Sequence, residues 1–196
     1  MKKGWIALGV ILLVVLLGYG WAKGMYNGFV QADEAVAKAW ADVESTYQRR
    51  ADLIPNLVET VKGYATHERE VFENVTRARS QVGQVRVSAE GLTPEAIRRF
   101  QEAQQGLGGA LARLLAVAER YPDLKANQNF LDLQTQLEGT ENRINVARNR
   151  YNEAARAYNT RIRSFPANLF AGMFGFAPKP YFEAEAGAEK APKVKF

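Results

Sequence analysis

An uninterrupted run from Gly4 to Ala22 (GWIALGVILLVVLLGYGWA) carries no charged side chain and is bounded by Lys3 and Lys23. As a helix rising about 1.5 Å per residue it is roughly 28 Å long, close to the roughly 30 Å hydrocarbon core of a bilayer. Trp5 marks one end and Tyr19 and Trp21 the other, where aromatic rings favour the boundary between lipid and water. The run therefore predicts a transmembrane helix with membrane lipid as its first partner, and Trp5, Leu12, Leu16, Tyr19 and Trp21 as anchor residues. The competing reading is a cleaved signal peptide, with Lys2 and Lys3 before an apolar centre from Ile6 to Leu17 and small Gly20 and Ala22 near a cleavage point. The bulky Trp21 between those small residues and the length of the run favour a retained anchor. Loss of the first 22 residues from the intact mass would mark cleavage.

The remaining length suits one domain and a tail, which places the boundaries at 1–24 (anchor), 25–164 (bundle) and 165–196 (tail). Cysteine is absent, so disulfides, thiol catalysis and cysteine metal sites are excluded. The net charge of +5 is spread over alternating acids and bases. No basic run interleaves with stacking aromatics, so nucleic acid is not an expected partner. Lys2 and Lys3 favour a cytoplasmic N-terminus with the bundle outside, against a small counterweight from Lys23 and Lys38.

After the anchor the apolar residues fall at helical spacing. Phe29, Val36, Trp40, Val43, Tyr47 and Ile54 form one stripe. Pro55 lacks a backbone donor and crowds the preceding turn, which predicts a kink or restart there. A second stripe runs from Leu57 or Val58 through Val61, Ala65, Phe72, Val75 and Ala78 to Val82, and ends in the turn cluster Ser88–Leu92. Thr93-Pro94-Glu95 is a helix start: a capping hydroxyl, a proline at the first position and an acid at the positive end of the dipole. The third stripe is Ile97, Phe100, Leu107, Leu111, Leu114 and Ala118, closed by Tyr121-Pro122-Asp123. The fourth is Phe130, Leu133, Leu137, Ile144, Tyr151, Tyr158 and Ile162, closed by Phe165-Pro166. Four long amphipathic segments with short connections predict an all-α fold: a transmembrane helix, then an elongated antiparallel helical bundle, then an irregular aromatic C-terminal tail.

These residues, taken in order, resemble the LemA family of bacterial membrane proteins. The resemblance covers nearly the whole chain. It rests on YNGFVQADEAVAKAWADVE (Tyr26 to Glu44), RRADLIPNLVETVKGYATHERE (Arg49 to Glu70), YPDLKANQNF (Tyr121 to Phe130) and LEGTENRINVARNRYNEAARAYN (Leu137 to Asn159). FPANLFAGMFGF and the terminal PKVKF also match the family's style. What the resemblance implies is an N-terminal membrane segment and a soluble helical bundle. It brings no catalytic residues, and it associates the family with membrane proteases and envelope-stress genes.

Enzymatic sites find little material. His67 is the only histidine. A zincin helix needs a second histidine at position 71, which is valine, and a di-iron bundle needs a glutamate where Tyr64 stands. No cofactor and no metal site is therefore expected. A polar stripe lies beside the apolar one on the fourth segment: Gln134, Glu138, Glu141, Asn145, Arg148, Asn152 and Asn159. One reading is a solvated face. The other is an interhelix network facing Arg49, Arg50, Asp52, Asn56 and Glu68. On the second reading Arg148→Ala destabilises more than Arg150→Ala, which lies off the stripe; equal melting temperatures would remove it.

The tail aromatics Phe165, Phe170, Phe174 and Phe176 exceed what a solvated segment needs. They pack either on this chain's own bundle or on a neighbouring subunit or membrane surface. Val194-Lys195-Phe196 with its free carboxylate is either an ordinary terminus, the favoured reading, or a ligand of the form that PDZ domains take up by strand addition. The sequence thus points to a membrane-anchored, non-enzymatic scaffold of the bacterial cell envelope that self-associates into a homo-oligomer. The alternative is an adaptor or regulator of a membrane protease or envelope-stress system.

Overall fold

A computed structural model describes residues 2–183, with side chains from Gly4 onward, and contains six α-helices and no strand among them. Helix α1, Lys2–Lys62, is a single helix of 61 residues, about 90 Å long at 1.5 Å per residue. Its apolar first third is mostly exposed, with Leu12 and Leu16 each at 57%. The same helix then enters the core at Phe29, Val36, Trp40 and Val43, all buried. The span and the first core helix are therefore one element, with no break at residue 24. Gly28 serves close approach, since a methyl group there would come within 2.6 Å of the Arg161 guanidinium.

Pro55 does not end or restart the helix as its sequence context suggests; α1 runs through it to Lys62. The reason is remote. A proline at 55 removes the N–H that would bond the Ala51 carbonyl. Arg79 of helix α2 (Arg69–Gln84) supplies a substitute, its Nε donating to Ala51 O at 3.1 Å. Leu53, Ile54, Leu57 and Val58, on either side of the proline, are buried and hold both turns in place. The chain reverses instead at residues 63–68, where Gly63 and Ala65 N–H bond the last carbonyls of α1. Arg79→Ala is expected to cost about 1 kcal/mol, and clearly less in a Pro55→Ala background where the missing donor is restored. Equal costs in the two backgrounds, by urea denaturation, would contradict this.

Helix α3 spans Pro94–Ala118 and begins as its sequence requires, with Thr93 Oγ1 accepting from Ala96 N–H at 3.1 Å. A short helix α4, Pro122–Lys125, leads into α5, Gln128–Arg163. A last helix, α6, covers Ala167–Met173. Helices α1 and α5 pair antiparallel along their length: Gly28 meets Arg161, Trp40 meets Tyr151, Arg50 meets Glu141, and the Tyr64 hydroxyl accepts from Asn127. Helices α2 and α3 form a second antiparallel pair, closed at its tip by Glu68 with Arg120 at 2.9 Å.

The two pairs differ in length, and that mismatch sets the site. Helix α5 has 36 residues against 16 in α2 and 25 in α3. The α2–α3 pair covers the distal half of α1 and α5, where Leu57, Phe72, Leu107, Leu114 and Phe130 make one core. Near the span, only the first turns of α3 and the loop carrying Val87 and Leu92 reach the α1–α5 pair. A different element has to cover what remains.

Candidate interaction site: a strapped groove beside the span

After α6 the chain turns at Gly175, the one glycine with positive φ (77°) among the described residues. It then runs back along α5 as an extended strap, residues 176–183. Pro178 and Pro180 restrict the backbone to extended conformations on both sides of Lys179. Two asparagines of α5 hold the strap by its backbone. Asn159 donates to Lys179 O and accepts from Lys179 N–H, both at 2.8 Å. Asn152 does the same with Phe182, at 3.2 and 2.9 Å. The spacing explains the match: seven residues of helix advance about 10.5 Å, and three extended residues about 10 Å. Each amide satisfies both main-chain groups of one strap residue, so the groove reads backbone.

Beside these clamps Tyr158 donates to Ala177 O at 3.0 Å and Tyr151 to Pro180 O at 2.9 Å. Gln101 and Arg148 both donate to Glu183 O. The Lys179 ammonium lies 2.9 Å from Asp33 of α1 and over the Tyr158 ring. Side-chain selection falls to Phe182, which is 5% exposed. Its ring stacks on Trp40 at 5.9 Å, meets Tyr151 edge-on at 5.3 Å, and carries the Arg148 guanidinium at 5.1 Å. Trp40 in turn donates to Val87 O at 2.7 Å, fastening the α2–α3 loop to the same cluster.

Burial raises the Tyr158 hydroxyl pKa to about 12, with the nearby Asp33 charge as a second cause, and burial pushes Tyr151 up as well. A folded-state pKa above the ordinary value near 10 means the fold prefers the neutral phenol. Stability from these groups is complete below about pH 10 and falls as pH rises toward about 12. Tyr151→Phe with Tyr158→Phe should flatten that alkaline decline relative to the parent chain; an identical decline in pH-dependent melting would contradict it.

The polar residues singled out in the sequence divide between two places. Arg50, 6% exposed, donates to Glu141 at 3.0 Å and to Gln104 Oε1 and O at 2.6 and 3.2 Å. Arg148 and Asn152 turn to the strap, as does Asn159. Asp52 accepts from Gln48 one turn away, Glu138 accepts from Gln134, and Glu68 joins Arg120 and Tyr121. Arg49, Asn56 and Asn145 are exposed. A polar cavity of about 370 Å³ beside Arg50, Gln104 and Glu141 opens where the strap reaches Arg148. His67 is exposed in the turn between α1 and α2, and no cluster of three metal-ligating side chains occurs among the described residues.

Of the tail aromatics, Phe170 packs on Trp21, Phe174 on Tyr26, and Phe176 on Tyr26 and Phe29, whereas Phe165 is 82% exposed. Phe196 and the terminal Val194-Lys195-Phe196 lie outside the described residues. Sequence reasoning missed Gln104 and Phe182. Gln104 sits on the apolar stripe of α3, between Phe100 and Leu107, where a polar residue signals a buried partner. Phe182 is a large apolar residue in a polar, proline-flanked stretch, the pattern of an anchored extended segment.

Most of the chain is similar to known proteins. The model of the LemA family matches residues 39–196. Two magnetosome proteins of Paramagnetospirillum magneticum, MamQ 2 and MamQ 1, are each 28% identical to the chain, over 84% of it and 66% of their own length. Magnetosome protein MamQ of Magnetospirillum gryphiswaldense is 29% identical, over 83% of the chain and 66% of its own length. The chain thus spans just under two thirds of the length of these relatives.

Proposed function

Because this chain belongs to the LemA family, we propose that it is a membrane-anchored, non-enzymatic scaffold of the bacterial cell envelope that self-associates through its bundle faces. The observation that carries this reading is the continuity of α1 from an exposed apolar span to buried Phe29, Val36 and Trp40. A helix shared between lipid and core fixes the bundle on its anchor without a flexible linker. Trp21 packing on Phe170 ties the end of the span to the tail, so removal of residues 1–22 would strip a packed ring from the domain. The lone histidine is solvent-exposed, and the buried Arg50, Gln104 and Asn159 side chains form hydrogen bonds within the bundle or with the strap.

Confinement to a membrane raises effective concentration, so weak faces suffice for assembly. We place the N-terminus on the cytoplasmic side and the bundle outside, following the charge at Lys2 and Lys3. Light scattering in mild detergent tests the assembly. The detergent-corrected mass should be a multiple of the 21.8 kDa chain. A strict monomer at high concentration contradicts self-association.

A further inference from the structure

We propose that the span-proximal end of the bundle is itself a second membrane contact, in which α6 and its flanks lie in the headgroup region of an anionic bilayer. This rests on the reading of Gly4 to Ala22 as a lipid-spanning segment. The path of the chain supplies the geometry. Arg161 lies beside Gly28, Phe170 beside Trp21, Phe174 beside Tyr26 and Phe176 beside Phe29. Between residues 161 and 170 the chain therefore descends along α1 by seven residues, about 10 Å, to the end of the span, and then climbs back. At this lowest point it exposes three large apolar side chains at four-residue spacing: Phe165 at 82%, Leu169 at 61% and Met173 at 72%. Leu169 and Met173, four residues apart within α6, lie along one side of that helix, and Phe165 stands just before its start. The opposite side of α6 carries Ala171, which is buried in the core.

An apolar face of this kind needs an occupant, and its position names one. It is continuous, through Phe170 and Trp21, with a helix end that belongs at the lipid–water boundary. The charge distribution agrees. Residues 1–32 and 154–182 contain no aspartate or glutamate. Among the described residues, Lys23, Arg161 and Arg163 are exposed in the parts of these stretches nearest the span. Apolar side chains inserted below a basic rim are what binding to anionic lipid requires. The amphipathic contact would hold the long rod at a set angle to the membrane, as a collar around the emerging helix.

The cysteine-free chain permits a direct test with single nitroxide labels on Leu12→Cys, Leu169→Cys and Val146→Cys, in full-length protein reconstituted into phosphatidylcholine vesicles with and without phosphatidylglycerol. Val146 is an exposed position on the bundle and Leu12 lies mid-span. The readout is collision with oxygen relative to collision with a water-soluble nickel chelate. The Leu169 label should show a ratio several-fold above that at Val146, approaching Leu12, and higher in the anionic vesicles. A water-like ratio at Leu169 with a lipid-like ratio at Leu12 overturns the collar and leaves the anchor standing. Water-like ratios at both positions overturn the anchor and the collar together. Low collision with both reagents at Leu169 marks a protein contact and overturns the lipid assignment. Equal ratios with and without phosphatidylglycerol overturn the anionic preference.

Discussion

Phe182→Ala is expected to destabilise the bundle by about 3–5 kcal/mol, although the residue stands in a polar, proline-rich tail. The ring is 5% exposed and fills the space among Trp40, Phe100, Tyr151 and Arg148. Its removal leaves a cavity whose walls belong to α1, α3 and α5, and rigid helices collapse poorly into such a space. The loss also frees the strap, because the Asn152 amide then holds an extended segment with no apolar anchor. Domains of this kind are stable by only about 5–15 kcal/mol, so the effect is large. Trp40 is the single tryptophan beyond the span, so its fluorescence in a Trp5→Phe, Trp21→Phe background reports the stacking partner directly. Urea denaturation should show the loss, with Leu131→Ala, an exposed control, within about 0.5 kcal/mol of the parent. A Phe182→Ala variant as stable as that control would mean that the strap does not cover the core.

Arg50→Ala is the second large effect, expected at about 2–3 kcal/mol, from the charge-assisted hydrogen bonds lost and the buried amide left without a partner. Arg50 joins three helices: its own α1, Glu141 of α5 and Gln104 of α3. Glu141 is half exposed on its own and regains water when the guanidinium is removed. Gln104, 5% exposed, does not, and its amide is left inside without the partner it had. The sharper result is the rescue. Arg50→Met combined with Gln104→Leu removes both buried polar groups and should recover most of the stability, because the desolvation cost disappears with them. A double variant as unstable as Arg50→Ala alone would mean that shape, and not polar pairing, governs this crossing.

The helices were legible because burial in a helix repeats with a fixed period. Phe29, Val36, Trp40, Val43, Tyr47 and Ile54, and likewise Phe130, Leu137, Ile144, Tyr151, Tyr158 and Ile162, are all buried in the positions their spacing marks. The point of chain reversal was not legible. Pro55 is a strong local signal, and the group that neutralises it, Arg79, is remote in sequence and carries no mark of that role. The strap was hidden for a related reason. Its hydrogen bonds run from Asn152 and Asn159 to main-chain atoms, and main-chain atoms have no sequence. Those two asparagines and Arg148 stood out as a polar stripe, but nothing local distinguished a helix from an extended tail as the object they face. The tail's contribution to the core depends on the shortness of α2 and α3 relative to α5, a property of three elements together.

The proposed anchor makes one helix serve both lipid and core. Washing vesicles that contain the protein with alkaline carbonate, without detergent, tests it most directly. Peripheral proteins leave under this treatment and spanning helices stay, because moving so long an apolar run into water is too unfavourable. The full-length chain should remain entirely with the sedimented membranes and enter solution only with detergent. Recovery of the folded chain in the supernatant would contradict the anchor, the collar and the scaffold together.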